Sequence, residues 1–271
     1  MKKFKAGNII SHIYLIILTF ISIFPLVWII ISSLKGKGEL TGNPTAFWPK
    51  TWTFDYYAHV INDLKFFVNI KNSVIISLVT TLIAITVAAL AAYGIVRFFT
   101  RLGSAMSKVL VTTYIFPPIL LAIPYSVVMG KLELINTRIG LVIVYLSFSV
   151  PYAVWLLTGF FRTVPLEIEE AARIDGANGF RTVWDIILPL IRRSMMFVFV
   201  SNTVANLLMF VPMYMITLGG PEMSTNLMMY EAYKSGFIYA DFGRSYAIVT
   251  LILLVSFAVV MVEMKVLKPK H

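Results

Sequence analysis

Residues 164–189, VPLEIEEAARIDGANGFRTVWDIILP, form a polar stretch between two long apolar runs, and the interpretation of the rest of the chain depends on them. Pro165 suits the first position of a helix. The carboxylates of Glu167, Glu169 and Glu170 then fall in the first turns, where exposed backbone N–H groups favour negative charge. The sequence therefore predicts a short helix that starts at Pro165.

Small residues give this predicted helix a face that a partner can approach closely. Ile168, Ala171 and Ala172 recur at helical spacing, and the two alanines add little bulk to the face they share. Gly176 then allows the backbone to leave helical geometry. We expect a helix that can dock in a groove and that ends at this glycine.

A second amphipathic helix is predicted after the glycine. Phe180, Val183, Trp184 and Ile187 form an apolar stripe that ends just before Pro189. Spacing alone leaves two interpretations open for the whole stretch. It is either a helix pair that docks on a partner, or an ordinary cytoplasmic loop with a helix on the membrane surface.

The composition is that of an integral membrane protein. Hydrophobic residues make up 59% of the 271 residues and charged residues 13%, whereas soluble domains are about 45–50% apolar and about 25% charged. The net charge of +10 does not indicate nucleic-acid binding, because the basic residues flank apolar runs and form no single patch. The absence of cysteine excludes disulfides, thiolate metal sites and thiol nucleophiles.

Apolar runs predict six transmembrane helices in a single permease domain that covers residues 1–271. The predicted spans are residues 9–33, 72–98, 107–130, 139–161, 194–218 and 245–267, with the polar loop 162–193 between spans four and five. In the second span, Ala84, Ala88 and Ala92 stand one turn apart, so this face should pack against another helix. In the third span, Pro117, Pro118 and Pro124 should break the helix.

Polar residues within and after the fifth span are weak candidates for a substrate path. Asn202 and Asn206 lie four residues apart on one face, where they either bond to a neighbouring helix or face the path. Tyr230 and Tyr233 follow in the polar segment 219–244. Tyrosine rings can stack on pyranose faces, although tyrosine is also common at membrane interfaces.

The distribution of lysine and arginine predicts the orientation. With both termini and loop 162–193 in the cytoplasm, 14 of the 23 basic residues lie on the cytoplasmic side. This arrangement obeys the positive-inside rule. The long polar segment 35–71 then lies on the outer surface, either as a contact region for an external partner or as an aromatic belt.

The sequence lacks the nucleotide-binding and catalytic motifs that would let this chain drive transport by itself. It has no nucleotide-binding P-loop, no H-E-x-x-H and no G-x-S-x-G, so we predict that the chain is not an enzyme and holds no metal or cofactor. Spans two to five also lack the central carboxylates that gradient-driven carriers use, and Glu263 sits near a cytoplasmic end. A transporter of this kind must be driven by a partner.

The order of residues in the polar stretch resembles a known family. Glu170-Ala171-Ala172, Gly176 and the Ile186 to Leu188-Pro189 ending are similar to the cytoplasmic "EAA" loop of permease subunits of binding-protein-dependent ABC importers. The Ile174-Asp175-Gly176-Ala177 run and the segment from Pro165 to Glu169 resemble the carbohydrate branch, of which the maltose-transporter permeases are typical. Ser33-Leu34-Lys35 and the segment from Phe47-Trp48-Pro49 to Trp52-Thr53 also resemble that branch.

The resemblance implies a fold, a site and a set of partners. It implies a permease of a carbohydrate importer that works by alternating access in a bacterial or archaeal plasma membrane. The coupling residues it implies, which dock into an ATPase, are Glu167, Glu170, Ala171, Ala172, Asp175, Gly176 and Ala177. It also implies a second homologous permease, two ATPase subunits that bind ATP and magnesium, an extracytoplasmic substrate-binding protein and no nucleic acid.

The two ends of the chain resemble different permeases of this branch. The segment from Gly219-Gly220-Pro221 to Asp241-Phe242-Gly243 is similar to the first of the two maltose-type permeases, and the front of the chain to the second. The second type carries a glycine-rich tail where this sequence ends at Lys268-Pro269-Lys270-His271. Two other functions remain open: an importer of the same architecture for amino acids, peptides or phosphate, and a gradient-driven carrier or membrane scaffold.

Overall fold

The structure, a computed structural model, describes residues 6–267, and the regular elements there are helical. Within these residues the only extended pairing is an isolated antiparallel bridge between Lys35 and Trp52. Four helices are long and apolar enough to cross a membrane, and one bent pair of helices passes the same test. The predicted class, an all-α integral membrane protein, is confirmed.

The helices follow the apolar runs of the sequence. In chain order they are α1 Ala6–Ser33, α2 Glu39–Gly42, α3 Asp55–Asn62, α4 Phe66–Arg97, α5 Thr100–Ile115, α6 Ala122–Lys131, α7 Arg138–Phe161, α8 Leu166–Ile174, α9 Gly179–Arg181, α10 Leu188–Leu190, α11 Arg192–Leu207, α12 Val211–Ile216, α13 Met228–Tyr233 and α14 Phe242–Leu267. A 3-10 turn covers Pro118–Leu121, and π-helical turns cover Thr182–Ile187 and Lys234–Ile238. The predicted cytoplasmic residues Lys2, Lys3, Lys5, Lys268 and Lys270 lie outside the described range.

The described residues form two compact units. The first unit comprises residues 6–67 with Glu231–Leu254, and the second comprises Val68–Tyr230 with residues 255–267. In the first unit, Lys35 is buried, and its Nζ donates a hydrogen bond of 2.5 Å to the carbonyl oxygen of Ala46. The same ammonium lies 5.2 Å from the ring centroid of Trp28. This cation is therefore held by its own unit.

The second unit is built around the alanine face of α4. Ala84, Ala88 and Ala92 are fully buried, which confirms the prediction that this face packs against protein. Ala88 and Ala92 share a hydrophobic core with residues of α7, α11 and the polar loop, among them Leu157 and Ile187. Small side chains allow the close approach of helices that a membrane bundle needs, because lipid tails supply no hydrophobic driving force between helices.

Prolines break the third predicted span, as expected. Helix α5 ends at Ile115, and the following helical segment starts at Pro118. The two parts are bent by 89°. Pro117 and Pro118 lack backbone donors, so the α-helical ladder cannot continue through them.

The fifth predicted span, residues 194–218, differs from the prediction of one continuous helix. It consists of α11 and the short α12, separated by residues 208–210. Pro212 occupies one of the first positions of α12, where its missing N–H is tolerated, but the residue also cannot extend a helix that arrives from α11. By length and composition the described residues thus contain four spans, or five with the bent pair, against the six predicted.

The packing of α4 yields a stability test. Ala88→Leu adds bulk at a buried position, and we expect it to lower the free energy of unfolding by about 1–3 kcal/mol. Val87→Leu, at the adjacent exposed position, is the control and should have little effect. The measurement is the thermal unfolding midpoint of the purified protein in detergent. Equal midpoints for the two variants would contradict the tight packing of this face.

Candidate functional site

The predicted helix of the polar stretch is α8. It starts at Leu166, one residue later than expected, because Pro165 has an extended backbone (φ −60°, ψ 140°) and occupies the N-cap position. Glu167 and Glu169 lie in the first turn, as predicted. The loop thus begins with a helix whose N-terminal charge suits its dipole.

Helix α8 has one face against the protein and one face open. Glu169 and Ala172, three residues apart, are buried, whereas Glu167, Glu170 and Ala171 are exposed. The expectation that both alanines lie on one dockable face is therefore only half right, since Ala172 is covered by this chain itself. The bundle covers the side of α8 that carries Glu169 and Ala172, and the opposite side stays open.

Buried polar contacts fix the inner face of α8 to the end of α4. The Arg97 Nε donates to Glu169 Oε1 at 2.5 Å, and the hydroxyl of Tyr93 donates to Glu169 Oε2 at 3.0 Å. Arg97 Nη2 also donates to the carbonyl oxygen of Val164 at 2.8 Å. The side chains of Arg97 and Glu169 are 11% and 2% exposed. Both carboxylate oxygens of Glu169 thus have charged or hydroxyl donors.

Gly176 ends α8 in the way that its residue type allows. Its φ is +84°, a left-handed conformation that side chains disfavour. The N–H of Gly176 donates to the carbonyl oxygen of Arg173, and the N–H of Ala177 to that of Ala172. This pair of bonds is the Schellman motif, which satisfies the last carbonyls of a helix. Asp175 and Gly176 are exposed, and Ala177 is half-buried.

The second helix of the loop does not present its apolar stripe as one face. Val183 packs on the core and Ile187 is fully buried within it, whereas Phe180 and Trp184 are 74% and 62% exposed. The rings of Phe180 and Trp184 stack with centroids 6.0 Å apart and planes inclined by 6°. Residues Thr182–Ile187 are π-helical, so more residues fill each turn than the 3.6 assumed in the prediction. We call Phe180 and Trp184 the exposed aromatic pair.

Asn206 is bonded to neighbouring helices of its unit. Its Nδ2 donates to the Thr81 hydroxyl at 3.0 Å, and its Oδ1 accepts from the Ser149 hydroxyl at 2.7 Å. Asn202 is equally buried, and its Nδ2 donates to the carbonyl oxygen of Ser149 at 3.4 Å. The contacts favour helix packing, the first of the two alternatives, for both amides.

The two tyrosine candidates belong to different units. Tyr230, in the second unit, is buried, and its ring lies 6.5 Å from that of Phe210 and 6.3 Å from that of Tyr214. Tyr233, in the first unit, stacks on Phe237 at 5.4 Å. Each ring thus has an aromatic neighbour in its own unit, and contact of either ring with a substrate stays a prediction.

Sequence reasoning missed the role of Glu169 as an anchor and the exposure of the aromatic pair. Glu169 was grouped with its neighbours as a helix-dipole charge, although only this glutamate points inward. The position of Arg97 at the cytoplasmic end of the second predicted span is a signal for such a pair. The sequence offers 23 basic residues, however, and nothing in it selects this one as the partner.

Comparison with known proteins indicates a family of membrane transport proteins. Residues 84–270 match the family described as "Binding-protein-dependent transport system inner membrane component". A diacetylchitobiose uptake system permease protein of Streptomyces coelicolor is 33% identical over 193 residues, which cover 71% of this chain and 64% of that protein. The match thus spans slightly less than two thirds of that relative's length.

Two further comparisons agree with it. A trehalose/maltose transport system permease protein of Thermococcus litoralis is 31% identical over 192 residues, which cover 70% of this chain and 68% of the relative. In fold, the chain is similar to a bacterial ABC transporter involved in the import of the acidic polysaccharide alginate. That similarity has a TM-score of 0.70 at 20% sequence identity and covers 98% of both chains.

The two glycines of the loop allow a matched test of the Schellman turn. A Cβ added at Gly176 or at Gly179 meets no atom within 4 Å, so only the backbone conformation separates the two sites. We expect Gly176→Ala to reduce stability by about 1 kcal/mol, because its positive φ is unfavourable for alanine. Gly179→Ala should be neutral or slightly stabilising. Thermal unfolding of the two variants is the measurement, and equal midpoints would contradict the assignment.

Proposed function

This chain belongs to the family of binding-protein-dependent transport system inner membrane components, and from that premise we propose that it is a permease subunit of an ATP-driven importer. Its cargo is an oligosaccharide or related carbohydrate, delivered by an external binding protein and moved by alternating access. The diacetylchitobiose and trehalose/maltose systems of its relatives support this cargo class. The family consists of transporter permeases, so the chain itself is not a catalytic subunit.

The exposed aromatic pair is the observation that carries the proposal for the loop. Phe180 and Trp184 lie in a polar loop, three quarters and three fifths exposed, and Ile174 at the end of α8 is also exposed. Because the same loop also exposes glutamates, these large exposed aromatic side chains favour contact with a protein over contact with the membrane. Together with the open glutamates of α8, they give an ATPase subunit both an apolar anchor and a charged rim.

The remaining assembly follows from this role. Loop 162–193 and both termini lie in the cytoplasm, where ATP is available, in accordance with the distribution of basic residues. A second homologous permease completes the path, two ATPase subunits bind ATP and magnesium, and a substrate-binding protein docks outside. The proposed coupling residues on the open side of the loop are Glu167, Glu170, Ala171, Asp175 and Gly176. Two further coupling residues are less exposed: Ala172 is buried and Ala177 is half-buried.

In this proposal, the ATPase subunits drive transport by displacing this loop. Spans two to five carry no central carboxylate, and Glu263 of the sixth span lies near its cytoplasmic end, so in this proposal a partner imposes the conformational change. Closure of the ATPases displaces α8, and the bundle follows because packed helices shift as rigid bodies. Tyr230 and Tyr233 remain candidates for substrate contact as the path opens, whereas the amides of Asn202 and Asn206 are bonded within the bundle.

The aromatic pair gives a direct test of ATPase docking. Trp184→Ala should lower the affinity for the ATPase subunit by about tenfold or more, as expected for a central aromatic anchor. Trp48→Ala is the matched control, because Trp48 is 65% exposed but lies in the polar segment predicted on the opposite side. The measurement is the amount of ATPase retained when the complex is purified in detergent. Equal retention by the two variants would refute docking at this site.

The cargo class is tested separately. The complete transporter, with its co-purified binding protein, is placed in lipid vesicles, and ATP hydrolysis is measured with a panel of oligosaccharides, amino acids and phosphate. We expect stimulation by oligosaccharides alone. Stimulation by an amino acid or by phosphate would favour the alternative importer of the same architecture, and a transporter that carries no ATPase would favour a gradient-driven carrier.

A further inference from the structure

The contact between the polar loop and α4 carries an inference that rests on the proposed function. We infer that the buried ion pair of Arg97 and Glu169 is the joint that makes α4 move with α8, so that Arg97 and Glu169 are positioning residues for transport. Neither residue belongs to the open face of the loop. Their role would therefore be internal to this chain and distinct from ATPase docking.

Chain connectivity does not link α8 to α4. Helix α8 follows α7 directly, through residues 162–165, and leads on through the Gly176 turn, whereas α4 ends about 70 residues earlier in the sequence. A displacement of α8 can reach α4 only through non-covalent contacts. Beside the apolar core that α4 shares with the loop, the polar contacts are the Arg97–Glu169 pair, the Tyr93–Glu169 hydrogen bond and the bond from Arg97 to the Val164 carbonyl.

These contacts are directional, unlike the apolar packing around them. Arg97 donates to two acceptors on separate parts of the loop, and Glu169 accepts from two donors on α4. Planar guanidinium geometry fixes both distance and angle. Apolar contacts have no preferred direction, whereas a charge-assisted bond in a buried site has a defined distance and angle. These three hydrogen bonds therefore hold α8 in one position relative to α4.

Burial of the pair points to positioning rather than to stability. The side chains are 11% and 2% exposed, so both charges have given up most of their water. Such desolvation offsets much of the attraction, and well-packed apolar residues in place of a buried pair are often as stable. What the pair adds is a single defined geometry. Helix α4 then carries this geometry into the bundle through its buried alanine face.

Three variants distinguish an ion pair that makes α4 move with α8 from one that only stabilises the fold. Glu169→Leu alone leaves the charge of Arg97 buried without its carboxylate, so the thermal unfolding midpoint should fall, and Arg97→Met should act likewise. The double variant Arg97→Met/Glu169→Leu removes both charges, and its midpoint should return towards that of the wild type. Arg162→Met, which removes an exposed cation at the end of α7, is the control and should leave both readouts unchanged.

The second readout is the distance between the two helices. The chain contains no cysteine, so Leu166→Cys on α8 and Leu90→Cys on α4, both at exposed positions outside the proposed docking surface, introduce the only thiols of this subunit for spin labels. In the complete complex, with partner subunits freed of cysteine, the distance distribution between the labels is recorded by electron paramagnetic resonance without nucleotide and with a non-hydrolysable ATP analogue. The wild type should give a narrow distribution that nucleotide does not shift.

The double variant should give a broader distribution that shifts when nucleotide binds, although its unfolding midpoint is restored. A narrow, unshifted distribution in the stable double variant would overturn the joint and leave ATPase docking intact. Failure of an ATPase to co-purify with the wild type would overturn the proposed function and the joint with it. The two failures are therefore distinguishable.

Discussion

The hydrocarbon of a membrane supplies no hydrogen-bond partners, and this constraint governs the structure. Each backbone N–H and C=O group within the bilayer must be satisfied inside the protein, which favours long helices. The helices are interrupted at the bend after Ile115 and between α11 and α12, and each interruption coincides with prolines that cannot donate. Long helices interrupted at prolines therefore define the bundle.

Close packing compensates for the missing hydrophobic force between helices. The alanine face of α4 is fully buried, and the amide of Asn206 bonds to hydroxyls on two other helices. Small residues and interhelical hydrogen bonds are the means by which membrane helices associate. The second unit is thus a tightly packed bundle, as the proposed rigid-body movement requires.

In the proposed function, the short polar loop must both attach to the bundle and stay open to a partner. The inner side of α8 is bonded to α4, the inner side of the second helix packs on the core, and glutamates and aromatic rings remain open on the outside. A loop that was open on all sides would move without the bundle, and one that was buried on all sides could not receive a partner. The Schellman turn at Gly176 and the π-helical turn after it allow both in 26 residues.

The sequence by itself determined the membrane class, the buried alanine face of α4, the broken third span and the glycine exit from α8. Each of these follows from local rules: apolar length, helical spacing, the missing donor of proline and the free φ of glycine. Tertiary structure alone decided two other features. It split the stripe of Phe180, Val183, Trp184 and Ile187 between core and solvent, and it turned Glu169 towards Arg97. These outcomes depend on which distant residues meet, and one-dimensional spacing does not contain that information.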